Sequence, residues 1–243
     1  MKALLPWLQR VVDLVYPRNC QFCLAPLAET ERGVICAACL SGVKWIEPPF
    51  CQQCALPFAG EMSGSFVCGY CSKLAFHFSR GVAACRAEGI VRECIHRFKY
   101  NREMYYGPHL ARWLVTAAQR WIAWRDVDAI VPVPLYPRKK REREFNQAEY
   151  VARSLSLAVG VRLECHALRR VKETVTQTRL DAKARAENLR GAFVVRRAER
   201  VAGKRLVLVD DVFTTGATMD SCAKVLREAG AEDVLAVAVA RGV

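Results

Sequence analysis

The sequence predicts an α/β protein, a parallel sheet flanked by helices, preceded by a small cysteine-rich module. Three observations carry this expectation. Eight cysteines fall into four CxxC pairs between Cys20 and Cys71. Beyond Arg80, short apolar runs alternate with amphipathic stretches, the order that builds a parallel sheet with right-handed crossovers. The apolar run Leu206–Val209 is followed by two acids and then by Thr-Thr-Gly-Ala-Thr, a buried strand leading through a small-residue turn into a helix. At 243 residues the chain can hold one catalytic-sized domain and a small module.

Taken in chain order, Leu4, Leu5, Leu8, Val11, Val12 and Val15 lie at helical spacing. They predict an amphipathic helix that packs on the protein, a partner or a membrane surface. Lys2, Arg10 and Asp13 interrupt it, so no stretch approaches the roughly 18 apolar residues of a membrane span.

The CxxC pairs are Cys20/Cys23, Cys36/Cys39, Cys51/Cys54 and Cys68/Cys71. The halves repeat: CQFCLAPL from Cys20 matches CQQCALPF from Cys51, with Pro26 and Pro57 at equivalent places. Thiolate pairs two residues apart grip one face of a tetrahedral zinc ion, and a second pair closes the shell, which makes the sites structural. The chain thus predicts a double zinc ribbon with two Zn²⁺ ions, metal replacing a core too small to fold alone. The repeat favours sequential grouping within each half; a cross-braced exchange fits the same spacing. No secretion signal precedes the cysteines, so metal binding in the cytoplasm is expected rather than a disulfide framework. Cys85, Cys94, Cys165 and Cys222 stand alone and read as small buried hydrophobes.

A hinge is expected near Phe76–Arg80, dividing residues 1–78 from a catalytic-type domain at 79–243. A strand follows around Val82–Arg86, then helices over Ile90–Lys99 and Leu110–Trp124. VDAIVPVPL reads as a strand stopped by Pro132 and Pro134, and YPRKKREREFNQ as a basic surface loop. Asn146–Ala158 reads as a helix; Arg162–Leu168, Lys204–Val209 and Asp233–Ala240 read as strands. The polar, Thr-rich stretch between Leu168 and Phe193 reads as a mobile flap that closes over phosphates. Net charge is +13 and uneven, seven Lys/Arg against five Asp/Glu in residues 1–80 and thirty against nineteen thereafter. Such a surface suits phosphorylated ligands or nucleic acid.

Residues 206–218, LVLVDDVFTTGAT, carry the most specific signal. The turn offers backbone amides and hydroxyls to an anion at a helix N-terminus. The stretch resembles the phosphoribosyl pyrophosphate (PRPP) motif of type I phosphoribosyltransferases. That resemblance implies the type I phosphoribosyltransferase fold, with Asp210 and Asp211 as ribose ligands and Thr214, Thr215, Gly216, Ala217 and Thr218 as the 5'-phosphate loop. It implies Mg²⁺ accompanying PRPP. Arg138, Lys139 and Arg143, beyond the carboxyl end of a buried strand, are the candidates for pyrophosphate contacts.

The order FKY (Phe98–Tyr100), PVPL (Pro132–Leu135), FNQAE (Phe145–Glu149), NLRGAF (Asn188–Phe193) and VDDVFTTGAT, after paired CxxC motifs, resembles the ComF/GntX family across nearly the whole chain. Glu144 stands where that family usually has glycine. The resemblance implies a PRPP-binding phosphoribosyltransferase-like protein, with no settled acceptor, that supports DNA uptake in natural transformation or the use of DNA as a nutrient. It also admits a protein that binds PRPP or single-stranded DNA without turnover, as an accessory of DNA-uptake proteins.

Overall fold

The structure, a computed structural model, describes residues 18–29, 31, 33–60, 64–173 and 189–242. The expected N-terminal helix and residues 174–188 of the expected flap lie outside the described residues. Strands Arg80–Arg86 (β1), Ala129–Pro132 (β2) and Arg162–Leu163 (β3) join Arg205–Phe213 (β6) and Asp233–Arg241 (β7) in one parallel sheet, ordered β1-β7-β6-β2-β3. Leu168–Arg170 (β4) and Phe193–Val195 (β5) form a separate antiparallel pair. The helices are Ala37–Leu40 (α1), Gly89–Tyr100 (α2), Gly107–Trp121 (α3), Pro137–Arg143 (α4), Gln147–Val159 (α5) and Ala217–Glu228 (α6).

The central strands are apolar on both sides because both sides are covered. Leu206 and Leu208 of β6 join the core under α6, with Met219, Cys222, Ala223 and Leu226. Val207 and Val209 join the opposite core, with Phe98 of α2, Leu110 and Leu114 of α3, and Val151 and Leu155 of α5. Alternation of side chains along a strand divides the residues this way.

The cysteine-rich module straddles the outer edge of the sheet. The Ile46 amide donates to Ala84 O at 2.9 Å and the Arg86 amide to Lys44 O at 2.8 Å, so residues 44–46 cover β1, a strand that would otherwise present unpaired backbone. Cys20, Ile35, Cys36 and Val43 then pack into one core, while Phe50, Cys51, Cys54 and Cys68 pack into the other.

Four expectations change. The basic loop is helical from Pro137 to Arg143: proline suits a first helical turn, and Arg138 and Glu142 pair one turn apart. The strand expected over Arg162–Leu168 splits, because the buried Glu164 turns the chain while held by Arg162 at 2.6 Å and Arg200 at 2.9 Å. Strand β6 does not end before the acids but continues to Phe213, since β7 pairs with it through Arg241. The segment read as a hinge is fastened: Phe76 and Phe78 lie 4.9 Å apart, Phe78 meets Phe213 edge-on at 5.7 Å, and the His77 amide donates to Asp220 at 2.6 Å. Of the lone cysteines, Cys85, Cys94 and Cys222 are buried as expected, while Cys165 is half-buried.

Candidate functional site

Beyond the carboxyl ends of β2 and β6 lies a cleft of about 200 Å³, the position where open α/β sheets bind ligands. Its acidic floor comes from β6. Neighbouring residues of a strand face opposite ways, so Asp211 is buried towards α2, where Lys99 Nζ meets its Oδ2 at 2.7 Å. Asp210 is half-buried, and its Oδ1 accepts from the Asp211 amide at 2.9 Å. Burial, and then the neighbouring Asp211 charge, pushes the Asp210 carboxyl up to about 7, against the opposing pull of Lys99.

The turn after β6 delivers the chain to the N-terminus of α6. Gly216 is left-handed, with φ at +84°, and a Cβ there would lie 2.8 Å from the Phe213 ring and 3.2 Å from Phe76. Only glycine fits both the conformation and the space. The Ala217 amide reaches Thr215 Oγ1 at 3.4 Å, and Thr218 lines the cleft. Thr214, Thr215, Gly216 and Ala217 lie at the helix entrance beside the lining rather than in it.

The opposite wall is cationic. Lys139 and Arg143 both line the cleft, being four residues apart on α4 and so on one face. Arg138 faces away, paired with Glu142 at 2.9 Å and Glu173 at 3.4 Å. The expectation grouped Arg138 with Lys139 and Arg143; helical rotation turns Arg138 away from the cleft that the other two line. Lys99 and Arg170 complete the basic lining and were not singled out from the sequence. Lys99 was visible inside the FKY motif; Arg170 sits in a stretch read as flap, and only its pairing in β4 aims it inward. Burial and the charges of Arg170 and Arg143 hold the Lys139 ammonium below the usual lysine range, the mark of a site that gathers positive charge for an anion. Gln147, also in the lining, is 2% exposed, accepts from Arg143 at 3.2 Å, and among the described residues has no hydrogen-bond partner for its buried Nε2.

The thiols gather into two sets, Cys20, Cys23, Cys36 and Cys39, and Cys51, Cys54, Cys68 and Cys71, with the sulfurs of each set within 4.8 Å of one another. Grouping is therefore sequential. The repeat extends to the backbone. Cys20 and Cys51 amides donate to Ala25 and Leu56 carbonyls at 2.8 Å each, and Leu24 and Ala55 are both left-handed. Cys36 and Cys68 amides point at the sulfurs of Cys20 and Cys51 at 3.4 and 3.3 Å. Four convergent sulfurs that accept backbone N–H bonds fit tetrahedral zinc in closed, structural sites, so the two sets suit two ions.

A parallel sheet carrying an acid pair and a glycine turn at its carboxyl end, joined to two tetracysteine sites, defines a phosphoribosyltransferase-fold protein with a double zinc ribbon. Comparison with known families agrees: the double zinc ribbon domain matches residues 11–75, and the phosphoribosyl transferase domain matches residues 146–242. DNA utilization protein YhgH of Salmonella typhimurium is 34% identical, covering 91% of this chain and 96% of that protein. Competence protein F of Haemophilus influenzae is 31% identical, covering 92% of this chain and 96% of its own length. The chain belongs to this ComF family. Among solved structures, glutamine PRPP amidotransferase from B. subtilis overlaps 59% of this chain and 30% of its own, with a TM-score of 0.41 and 19% identity.

Proposed function

We propose that the cleft binds PRPP and that the protein transfers its phosphoribosyl group, in support of DNA uptake or DNA utilisation. One observation carries the reading: the acid pair and Thr218, at the helix entrance, share a single small cleft with Lys139, Arg143 and Arg170. Asp210 and Asp211 would accept from the ribose hydroxyls, and the Thr214–Thr218 turn would hold the 5'-phosphate. Lys139, Arg143 and Arg170 would hold the pyrophosphate, with Gln147 Nε2 as a further donor. Carboxylate oxygens are hard donors that suit Mg²⁺, which when bound would neutralise charge on the leaving pyrophosphate. Loss of pyrophosphate builds positive charge at the ribose carbon, and the acids below would favour that charge.

The division into residues 1–78 and 79–243 belongs to this reading, with the ribbon as support and the larger part as the binding domain. The names of the two relatives, DNA utilization protein and competence protein, support a role alongside DNA-uptake proteins. None of the twelve cysteines is paired in a disulfide and eight gather in metal-type clusters, which suits the reducing cytoplasm. Among the described residues no helix is long and apolar enough to cross a membrane; contact of the N-terminal segment with a membrane surface stays part of the reading.

Calorimetric titration of the zinc-loaded protein with PRPP and Mg²⁺, followed by pyrophosphate release with bases or single-stranded DNA, tests it. Micromolar binding with acceptor-dependent release is expected; no binding by the folded protein ends the reading. A second reading, binding of PRPP or single-stranded DNA without turnover, has its own support. The basic lining continues past the cleft to Arg102, beside Tyr100, on one side and to Lys140, Arg169 and Arg196 on the other. Single-stranded DNA affinity that falls steeply with salt and survives Asp210→Asn with Asp211→Asn would favour it.

A further inference from the structure

We infer that Arg241 is a positioning residue that ties the second tetracysteine site to the Thr214–Thr218 turn, so that zinc at Cys51, Cys54, Cys68 and Cys71 and an anion at the turn each favour the other. The anion half rests on the proposed PRPP site; the zinc half does not.

Arg241 ends β7 and is 7% exposed. Its Nε donates to Cys54 O at 2.8 Å, and its Nη2 reaches Cys54 Sγ at 3.7 Å. Its Nη1 donates to Phe213 O at 3.1 Å and also to Gly242 O. The guanidinium lies over the Phe213 ring, 5.4 Å from its centre. Phe213 is the last residue before the turn, and its ring is the surface against which Gly216 packs, so a shift of Phe213 shifts the turn. A second link runs beside the first: Gln53, inside the same CxxC knuckle, donates to Phe78 O at 2.8 Å, and Phe78 packs on Phe213.

Charge gives the link a direction. A buried guanidinium needs a counter-charge. The partners of Arg241 among the described residues are carbonyls and one sulfur, with no carboxylate. Zinc held by these four thiolates would be a net dianion, and Arg241, at Cys54 O and Sγ, would serve it as an outer-shell donor. Loss of the metal frees the four sulfurs from one another and so loosens the Cys54 knuckle that Arg241 Nε and Nη2 hold. The guanidinium then loses its fixed partners on that side, and its hold on Phe213 and Gly242 slackens. The first site lacks this link, since Cys20 and Cys36 pack in the opposite core.

The test compares the full-length protein with Arg241→Met and Arg241→Lys, without ligand, by zinc release to a chromogenic chelator and by hydrogen exchange at the Thr214–Met219 amides. For Arg241→Met, release from one of the two sites is expected to quicken by about 10- to 100-fold, the usual effect of losing an outer-shell partner. Turn exchange should rise while β1 and the interior of β6 stay protected. Arg241→Lys keeps the charge without the fork, so zinc release should stay near wild type while turn exchange rises; if Arg241→Met does not fold, this variant carries the test. Cys23→Ser, which disables the first site, should leave the turn unchanged. In wild type, PRPP should slow zinc release, because coupling is reciprocal. Unchanged zinc release and turn exchange in the folded Arg241 variants overturn the inference. A wild type that binds no PRPP in the calorimeter, while the Arg241 variants still alter release and exchange, would sink the proposed function and leave the link from zinc site to turn standing; PRPP that binds without slowing zinc release would overturn the reciprocal half.

Discussion

Asp210 and Asp211 are neighbours with different electrostatic surroundings. Asp211 has a cation 2.7 Å away, whereas Asp210 is held up to about 7 by burial and by Asp211 itself. A carboxyl raised from its ordinary value of 3.8 keeps its proton in the native state where the unfolded chain has lost it, so stability falls as pH rises from 3.8 to about 7. Ribose recognition runs the other way, since the carboxylate accepts through both oxygens with charge-strengthened bonds, whereas protonation turns one oxygen into a donor. PRPP should therefore bind more tightly at about pH 8 than at about pH 6, and Asp210→Asn should flatten that dependence relative to wild type. Equal slopes in the two proteins, measured calorimetrically, would remove Asp210 from the site. Glu144 poses a different residue-scale question. It caps α4 in the left-handed region, with φ at +69°, and its exposed carboxylate meets Arg102 at 2.6 Å. Relief of the left-handed cost, about 1.5 kcal/mol, outweighs an exposed ion pair worth a few tenths and the extra freedom of an unfolded glycine, about 0.7 kcal/mol. Glu144→Gly should then stabilise the protein by roughly 0.5 kcal/mol in denaturant melts; a loss of stability would show that the Arg102 contact dominates.

At the scale of elements, α4 turns a run of charge into two faces. Lys139 and Arg143 line the cleft, while Arg138 is committed to Glu142 and Glu173. Replacing both Lys139 and Arg143 by alanine should weaken PRPP binding by 10-fold or more, about 1.4 kcal/mol for each factor of ten. Arg138→Ala should change it less than about twofold. The reverse order in a titration series would mean that α4 rotates when ligand binds. This sorting was illegible in the sequence, where five cations in six residues read as one basic loop. The β6 turn was legible because glycine, threonines and paired acids each have one physical use at that spacing. The pairing of cysteines was half legible: spacing allowed two groupings, and the backbone N–H bonds onto Cys20 and Cys51 sulfurs appear only in the fold. Lys99 and Arg170 were hidden for another reason. Each stands among other cations, and its role comes from contacts distant in sequence, 112 residues apart for Lys99 and Asp211.

For the whole molecule, the zinc module is part of the sheet's own cores rather than an appendage. Residues 44–46 close the β1 edge, and Phe50, Cys51, Cys54 and Phe78 sit in the same core as Leu206, Leu208 and Met219. Metal binding stabilises such a module by about 10 kcal/mol or more, comparable with the whole stability of a domain. The ribbon and the sheet should therefore unfold together. Stripping zinc with a strong chelator should lower the melting temperature of the entire protein, read by the circular dichroism of the sheet and helices. A fragment of residues 79–243 should expose an apolar face and an open strand edge, and so should associate or aggregate. A zinc-free protein that melts at the same temperature, or a fragment that stays monomeric in sedimentation, would instead make the ribbon an independent unit. In that case the contacts of Arg241 with Cys54 would bind the two parts together without stabilising either.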